Sequence, residues 1–239
     1  MYLLTPAPPA QPSVWQQLGD KALLLAVLAL SSLMSVLLVA YRIYHSDHFT
    51  YVFLVWNLFL AWVPLCSALV CWLFSQYGRR TWLLLALFLT GWFLFFPNSP
   101  YIVTDLLHLA PRNNVPLWYD VMLIFSFAWN GLILGFVSLW IVQGVVEALW
   151  GRWLSWLLVM VTLAASGFGI YLGRFQRWNS WDLLIDPLGL ASDVYTRLVN
   201  PFAHPRTVAV TLLFSGFLTI AYLTFALLLR VRWIRQPLS

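Results

Sequence analysis

This 239-residue chain predicts an all-α membrane protein with about six transmembrane helices, and three observations carry that prediction. Hydrophobic residues make up 62% of the chain and charged residues 9%, against about 25% charged in a soluble domain. The apolar residues gather in six stretches, at about 21–41, 51–75, 81–96, 118–146, 153–173 and 207–230. Each reaches or approaches the roughly 20 residues a helix needs to cross a bilayer. The stretches are continuous rather than alternating, which excludes a β-barrel.

Taken in order, residues 1–19 are rich in proline (Pro6, Pro8, Pro9, Pro12) and read as an extended, flexible segment. Residues 20–230 form one transmembrane domain, and 231–239 a basic tail. No positively charged region precedes the first apolar stretch, so that stretch reads as an uncleaved anchor rather than a signal peptide. In span two, Pro64 should kink the helix, and Cys66 and Cys71 read as small buried hydrophobes. Span three is short unless it continues past Pro97. In span four, Asn130 lies about twelve residues deep, where an amide usually hydrogen-bonds to a neighbouring helix. Gly131 with Gly135, and Gly169 with Gly173, each form a GxxxG pattern. These suit close packing of spans four and five, with a homodimer face as the alternative.

Twelve arginines and one lysine give a formal charge of +5. No surface of interleaved basic and aromatic residues points to nucleic acid; the basic residues fit membrane loops instead. Six spans put both termini on one side. With the termini inside, that side holds Lys21, Arg79, Arg80, Arg152, Arg230, Arg232 and Arg235 against Asp20 and Glu147. The outer side holds six arginines and six aspartates, together with His45, His48, His108 and His204. The Arg79–Arg80 pair and the cluster at 230–235 favour the cytoplasm.

Two polar runs, 96–108 and 174–182, interrupt the apolar sequence, and this topology puts both at the outer face. In the first, Asn98 or Ser99 suits a helix cap and Pro100 its first turn. From Tyr101 onward, Tyr101, Thr104, Asp105 and His108 recur at helical spacing and share a face. A helix over about 99–109 reaches only about 15 Å, so it is expected to be re-entrant or interfacial with its polar face inward. In the second run, Asn179 and Ser180 suit a cap, and short interfacial helices are expected over about 181–199.

The runs at 96–108, 118–120, 126–129, 169–175 and 177–182 resemble a domain-of-unknown-function family of predicted bacterial multipass membrane proteins. The resemblance extends over about 50–230. It implies a location in the bacterial cytoplasmic membrane and no particular activity.

Two chemistries compete with a structural reading of the polar residues. Asp105 and His108, three apart on a helix, could act as an acid–base pair with Asp120 as a third member; Thr104 and His108 could form a nucleophile–base pair. The same Asp105, His108 and Asp120 could hold a metal, yet no metal site is assigned and no cofactor is expected, since no nucleotide-binding glycine motif or haem-like histidine pair occurs. In the structural reading these groups satisfy backbone and one another around a short buried helix. Arg174 and Arg177, on one face with Trp178, suit an anionic headgroup or an ion pair with Asp105, Asp120 or Asp182. Asn98, Tyr101 and Asn179 complete the candidate binding set. Residue by residue, the structural or binding network is favoured. The expected function is therefore a binding or scaffold protein with a polar site at the extracytoplasmic face. Its partner is the bilayer with an anionic lipid headgroup, or another membrane protein. The alternatives are an enzyme on an anionic amphipathic substrate and a small transporter. No ionisable residue falls at a predicted midplane, which weighs against an ion-coupled transporter.

Overall fold

A computed structural model describes residues 14–77, 81–112, 115–178 and 182–231. The helices are α1 (Val14–Ser46), α2 (Phe53–Ser75), α3 (Trp82–Phe95), α4 (Asn98–Tyr101), α5 (Leu117–Trp150), α6 (Arg152–Phe175), α7 (Asp182–Ile185), α8 (Pro187–Val199) and α9 (Pro205–Arg230). Two 3₁₀ helices, Ile102–His108 and Pro201–Ala203, complete the set, and no strand occurs among the described residues. Six segments are long and apolar enough to cross a membrane, the third being Trp82–His108. In lipid every backbone N–H and C=O must be satisfied within the protein, which is why such apolar runs fold as helices. Helix α1 starts at Val14, earlier than the apolar run alone predicts, because 16–22 are mostly good helix formers.

Helix α5 is the hub, packed against α1, α2, α4, the first 3₁₀ helix, α6 and α9. Polar side chains tie spans together in the apolar interior. Trp92 Nε1 on α3 donates to Ser138 Oγ on α5 at 3.2 Å, and Tyr222 Oη on α9 donates to Gln143 Oε1 at 2.6 Å. Asn130 Nδ2 donates to Ser35 Oγ on α1 at 2.9 Å and to Ser31 O at 3.2 Å, the expected role for an amide at that depth. Cys71 is buried as expected, whereas Cys66 lies on the exposed face of α2.

The short helical segment expected over 99–109 is present over 98–108, and it continues the third span instead of turning back. Contacts with α2 run antiparallel along its whole length: Thr81 with Phe74, Phe88 with Ser67, Ser99 with Ala61, Asp105 with Asn57, and His108 with Tyr51. The span breaks at Pro97 and Pro100, which lack amide hydrogens. Asn98 and Ser99 do not cap a helix there. Asn98 Nδ2 donates back to Phe95 O at 2.9 Å, supplying a carbonyl at the break, and Ser99 Oγ donates to Ala61 O of α2 at 3.2 Å, tying the broken segment to that helix.

This inner segment also occupies the glycine faces. A Cβ at Gly131 would collide with Ser99 and Ile102, and one at Gly135 with Ser99. A Cβ at Gly169 would press on Pro97, and one at Gly173 on Tyr101. Both GxxxG faces are thus filled by residues 97–102 of the same chain, so these glycines serve close packing within the bundle. Small residues here let a broken helix wedge between α5 and α6.

At one end of the bundle lie the end of α1, the start of α2, residue 108, the start of α5, the end of α6, and α7 with α8. Helix α8 begins with Asp186, whose Oδ1 accepts from Gly189 N at 2.9 Å, and with Pro187 in the first turn. The short helices expected over 181–199 are therefore found from Asp182 on.

Candidate functional site

Both polar runs meet at this end, as the sequence reading required. At the centre is Asp105, only 1% exposed. Its Oδ2 accepts from Asn57 Nδ2 of α2 at 2.8 Å, and its Oδ1 accepts from Arg174 Nη2 of α6 in a very short contact. Arg174 also donates through Nε and Nη2 to Thr104 Oγ1 at 2.9 and 2.7 Å, while Thr104 Oγ1 donates to Tyr101 O at 2.7 Å. The guanidinium lies over the Tyr101 ring, 4.7 Å from its centroid. His108 borders the cluster. Both its ring nitrogens are 3.3–3.4 Å from Arg174 Nη1, its Nδ1 is 3.7 Å from Asp105 Oδ1, and its ring stacks obliquely on Phe53 at 5.1 Å. The His108 side chain is 41% exposed.

Asp120 does not join this cluster. It forms a fork with Arg42 of α1, from Nε to Oδ1 at 2.7 Å and from Nη2 to Oδ2 at 3.0 Å, both residues being fully buried. The Tyr51 ring covers Arg42 at 4.5 Å, and Tyr51 Oη donates weakly to His108 O at 3.4 Å. Burial pushes the Tyr51 phenol above its ordinary range, so it stays a donor. Asp105 and Asp120 thus sit in two adjacent ion-pair networks joined through Tyr51 rather than in one constellation.

The second run splits because the helix ends early. The chain leaves α6 at Gln176, and Arg177 takes a left-handed conformation (φ 64°). Arg177 is therefore exposed and off the face that carries Arg174. The turn delivers Trp178, whose Nε1 donates to Asp193 Oδ2 of α8 at 2.8 Å. Arg197 holds the other oxygen at 3.0 Å. The Trp178 N–H, with Arg197 beside it, holds the Asp193 carboxyl below its ordinary range. Asn179 lies outside the described residues, as do Ser180, Trp181, Arg79, Arg80, Arg232 and Arg235.

A groove of about 230 Å³ opens between α2, α4, α6 and α8, beside the Asp105 network. Asn98, Tyr101 and Trp178 line it together with Asn57. Asn57, Arg42 and Tyr51 are the residues that sequence reasoning passed over. An amide near the start of span two and a lone arginine inside the end of span one were the available signals. Among the described residues, no group of three or more His, Cys, Asp or Glu side chains is placed to hold a metal.

Six crossing helices with a buried polar network at one end define an integral multi-pass membrane protein. The family model "Protein of unknown function (DUF1361)" matches residues 56–221, and the chain belongs to that family. The matched region contains Asn57, Asp105, Asp120 and Arg174, while Arg42 precedes it. No curated protein and no solved structure matches the chain.

Proposed function

We propose that the protein is a non-catalytic binding or scaffold protein of the bacterial cytoplasmic membrane, with its termini in the cytoplasm and its polar end outside. The supporting observation is the satisfaction of the acids. Both oxygens of Asp105 and both of Asp120 are taken by Arg174, Asn57 and Arg42. A general acid or base needs an oxygen within reach of a substrate proton, and a closed network fits a rigid frame for recognition better. The ion pair also neutralises Arg174, which makes it a poor anion clamp. Asn130, engaged with α1, does not line the groove, which argues against a transport path through that residue. The Arg79–Arg80 pair and the arginine cluster at 230–235 in the sequence support the orientation.

The test is to isolate the protein with its surrounding lipid in polymer discs and compare bound molecules with bulk membrane. Selective enrichment of one lipid class or partner protein is expected. An enzyme reading rests on the exposed ring of His108 beside Asp105. A membrane lipid profile that shifts on overexpression, and reverts with His108→Ala, would overturn the binding proposal.

A further inference from the structure

The groove between α2, α4, α6 and α8 offers more than shape, because the hydrogen bonds around it leave a specific set of groups uncommitted. Asn57 Nδ2 is spent on Asp105, so its side-chain carbonyl remains as an acceptor. The Tyr101 ring is covered by Arg174, while its hydroxyl is left as donor and acceptor. Trp178 Nε1 is spent on Asp193, which fixes the indole so that it lines the groove as an aromatic surface. Among the described residues, no lysine, arginine, histidine, aspartate or glutamate lines the groove. Arg174, which covers the Tyr101 ring beside the groove, is already paired with Asp105. An anion therefore meets no charged partner among these lining residues, and an ionised headgroup entering the groove would lose hydration that they do not replace.

The apolar walls complete the pattern. Leu60 and Leu94 line the same groove, and Leu94 is 44% exposed on the lipid side of α3. Asn57 is the fifth residue of α2, so the polar part lies about 6 Å in from that helix end. A volume of about 230 Å³ falls below the roughly 300–1,000 Å³ of drug-sized sites, so it admits a headgroup-sized moiety and not a whole lipid. We infer that the groove binds an uncharged, hydroxyl-bearing headgroup of an amphiphile, its chain running out past Leu60 and Leu94 into lipid. A hydroxyl, donor and acceptor at once, matches the Asn57 carbonyl and the Tyr101 hydroxyl. The inference rests on the binding reading above and narrows it to one class of ligand.

Native mass spectrometry of the full chain, titrated with monoglucosyldiacylglycerol and separately with phosphatidylglycerol, tests it. Both lipids carry hydroxyls, and only the second is ionised. The glucosyl lipid is expected to bind at least about 10-fold more tightly, the factor equivalent to 1.4 kcal/mol. Leu94→Trp, which fills the groove mouth without touching the ion pairs, should abolish that preference. Tyr101→Phe keeps the ring under Arg174 and should weaken binding about 5-fold, as loss of one hydrogen bond does. Unchanged thermal midpoints in both variants establish that they fold. Equal or tighter binding of phosphatidylglycerol overturns the uncharged-headgroup assignment and leaves the binding reading intact. A glucosyl preference that survives Leu94→Trp overturns the groove assignment. Equal competition by free glucose overturns the amphiphile. Absence of selective binding by any amphiphile or partner protein overturns this inference and the binding reading together.

Discussion

Asp105 is held from three sides: Asn57 and Arg174 take its two oxygens, and the Tyr101–His108 turn closes around it. Removing one member of such a buried pair strands the other charge, at a cost of about 3–5 kcal/mol. Asp105→Asn and Arg174→Gln should each lower stability by that order, measured by unfolding in mixed micelles. The double variant should lose clearly less than the sum, with a coupling of about 0.5–3 kcal/mol. Strict additivity would mean the pair does not interact. His108→Ala provides the contrast. Its ring is exposed and stands at the edge of the network, so a change within about 0.5 kcal/mol is expected.

The broken third span is the element on which the site depends. Its prolines interrupt the helix, its asparagine bonds a carbonyl at the break, its serine ties it to α2, and glycines on α5 and α6 make room for it. Gly131→Ala should destabilise by about 1–3 kcal/mol, because its Cβ would meet the Ser99 backbone. Gly144→Ala, on the same helix with open space around it, should be neutral or stabilising by up to about 1 kcal/mol. Equal effects at the two positions would refute the wedge. Helix α8 has a different attachment, through Asp193, which accepts from Trp178 and is steadied by Arg197 four residues on in the same helix. The Asp193 carboxyl is depressed in the folded state, so its contribution is fully present above the unfolded value of about 3.9. It is lost as pH falls through the lower, folded value. Hydrogen exchange across residues 187–199, corrected for intrinsic rates, should therefore show loosening near pH 3 and protection at pH 6. The same difference in Asp193→Asn would assign it to another group.

At the scale of the whole molecule, charge separates along the bundle axis. Arg42, Arg174 and Arg197 at the polar end are paired with aspartates, while Lys21 and Arg230 at the other end lie over tryptophan rings. Internally paired arginines carry little topological weight, so the orientation rests on the opposite end. In a background with Cys66 and Cys71 replaced by alanine, an impermeant maleimide on intact cells should label Leu188→Cys on α8 and spare Arg152→Cys. The reverse pattern would invert the protein in the membrane.

The sequence by itself determined the class, the number of spans, the bounds of all but the third to within about five residues, and the meeting of two polar runs at one end. Apolar length and loop polarity are local properties, and the bilayer reads them directly. It also narrowed the partner of Arg174 to three aspartates, of which Asp105 is the one paired. Only the tertiary structure decided that Asp120 belongs to Arg42, that Asn57 completes Asp105, that Arg177 leaves the helix face, and that the GxxxG surfaces receive their own chain. Those outcomes depend on which helix faces approach each other and where a helix breaks, and such choices are settled by packing between segments far apart in the chain.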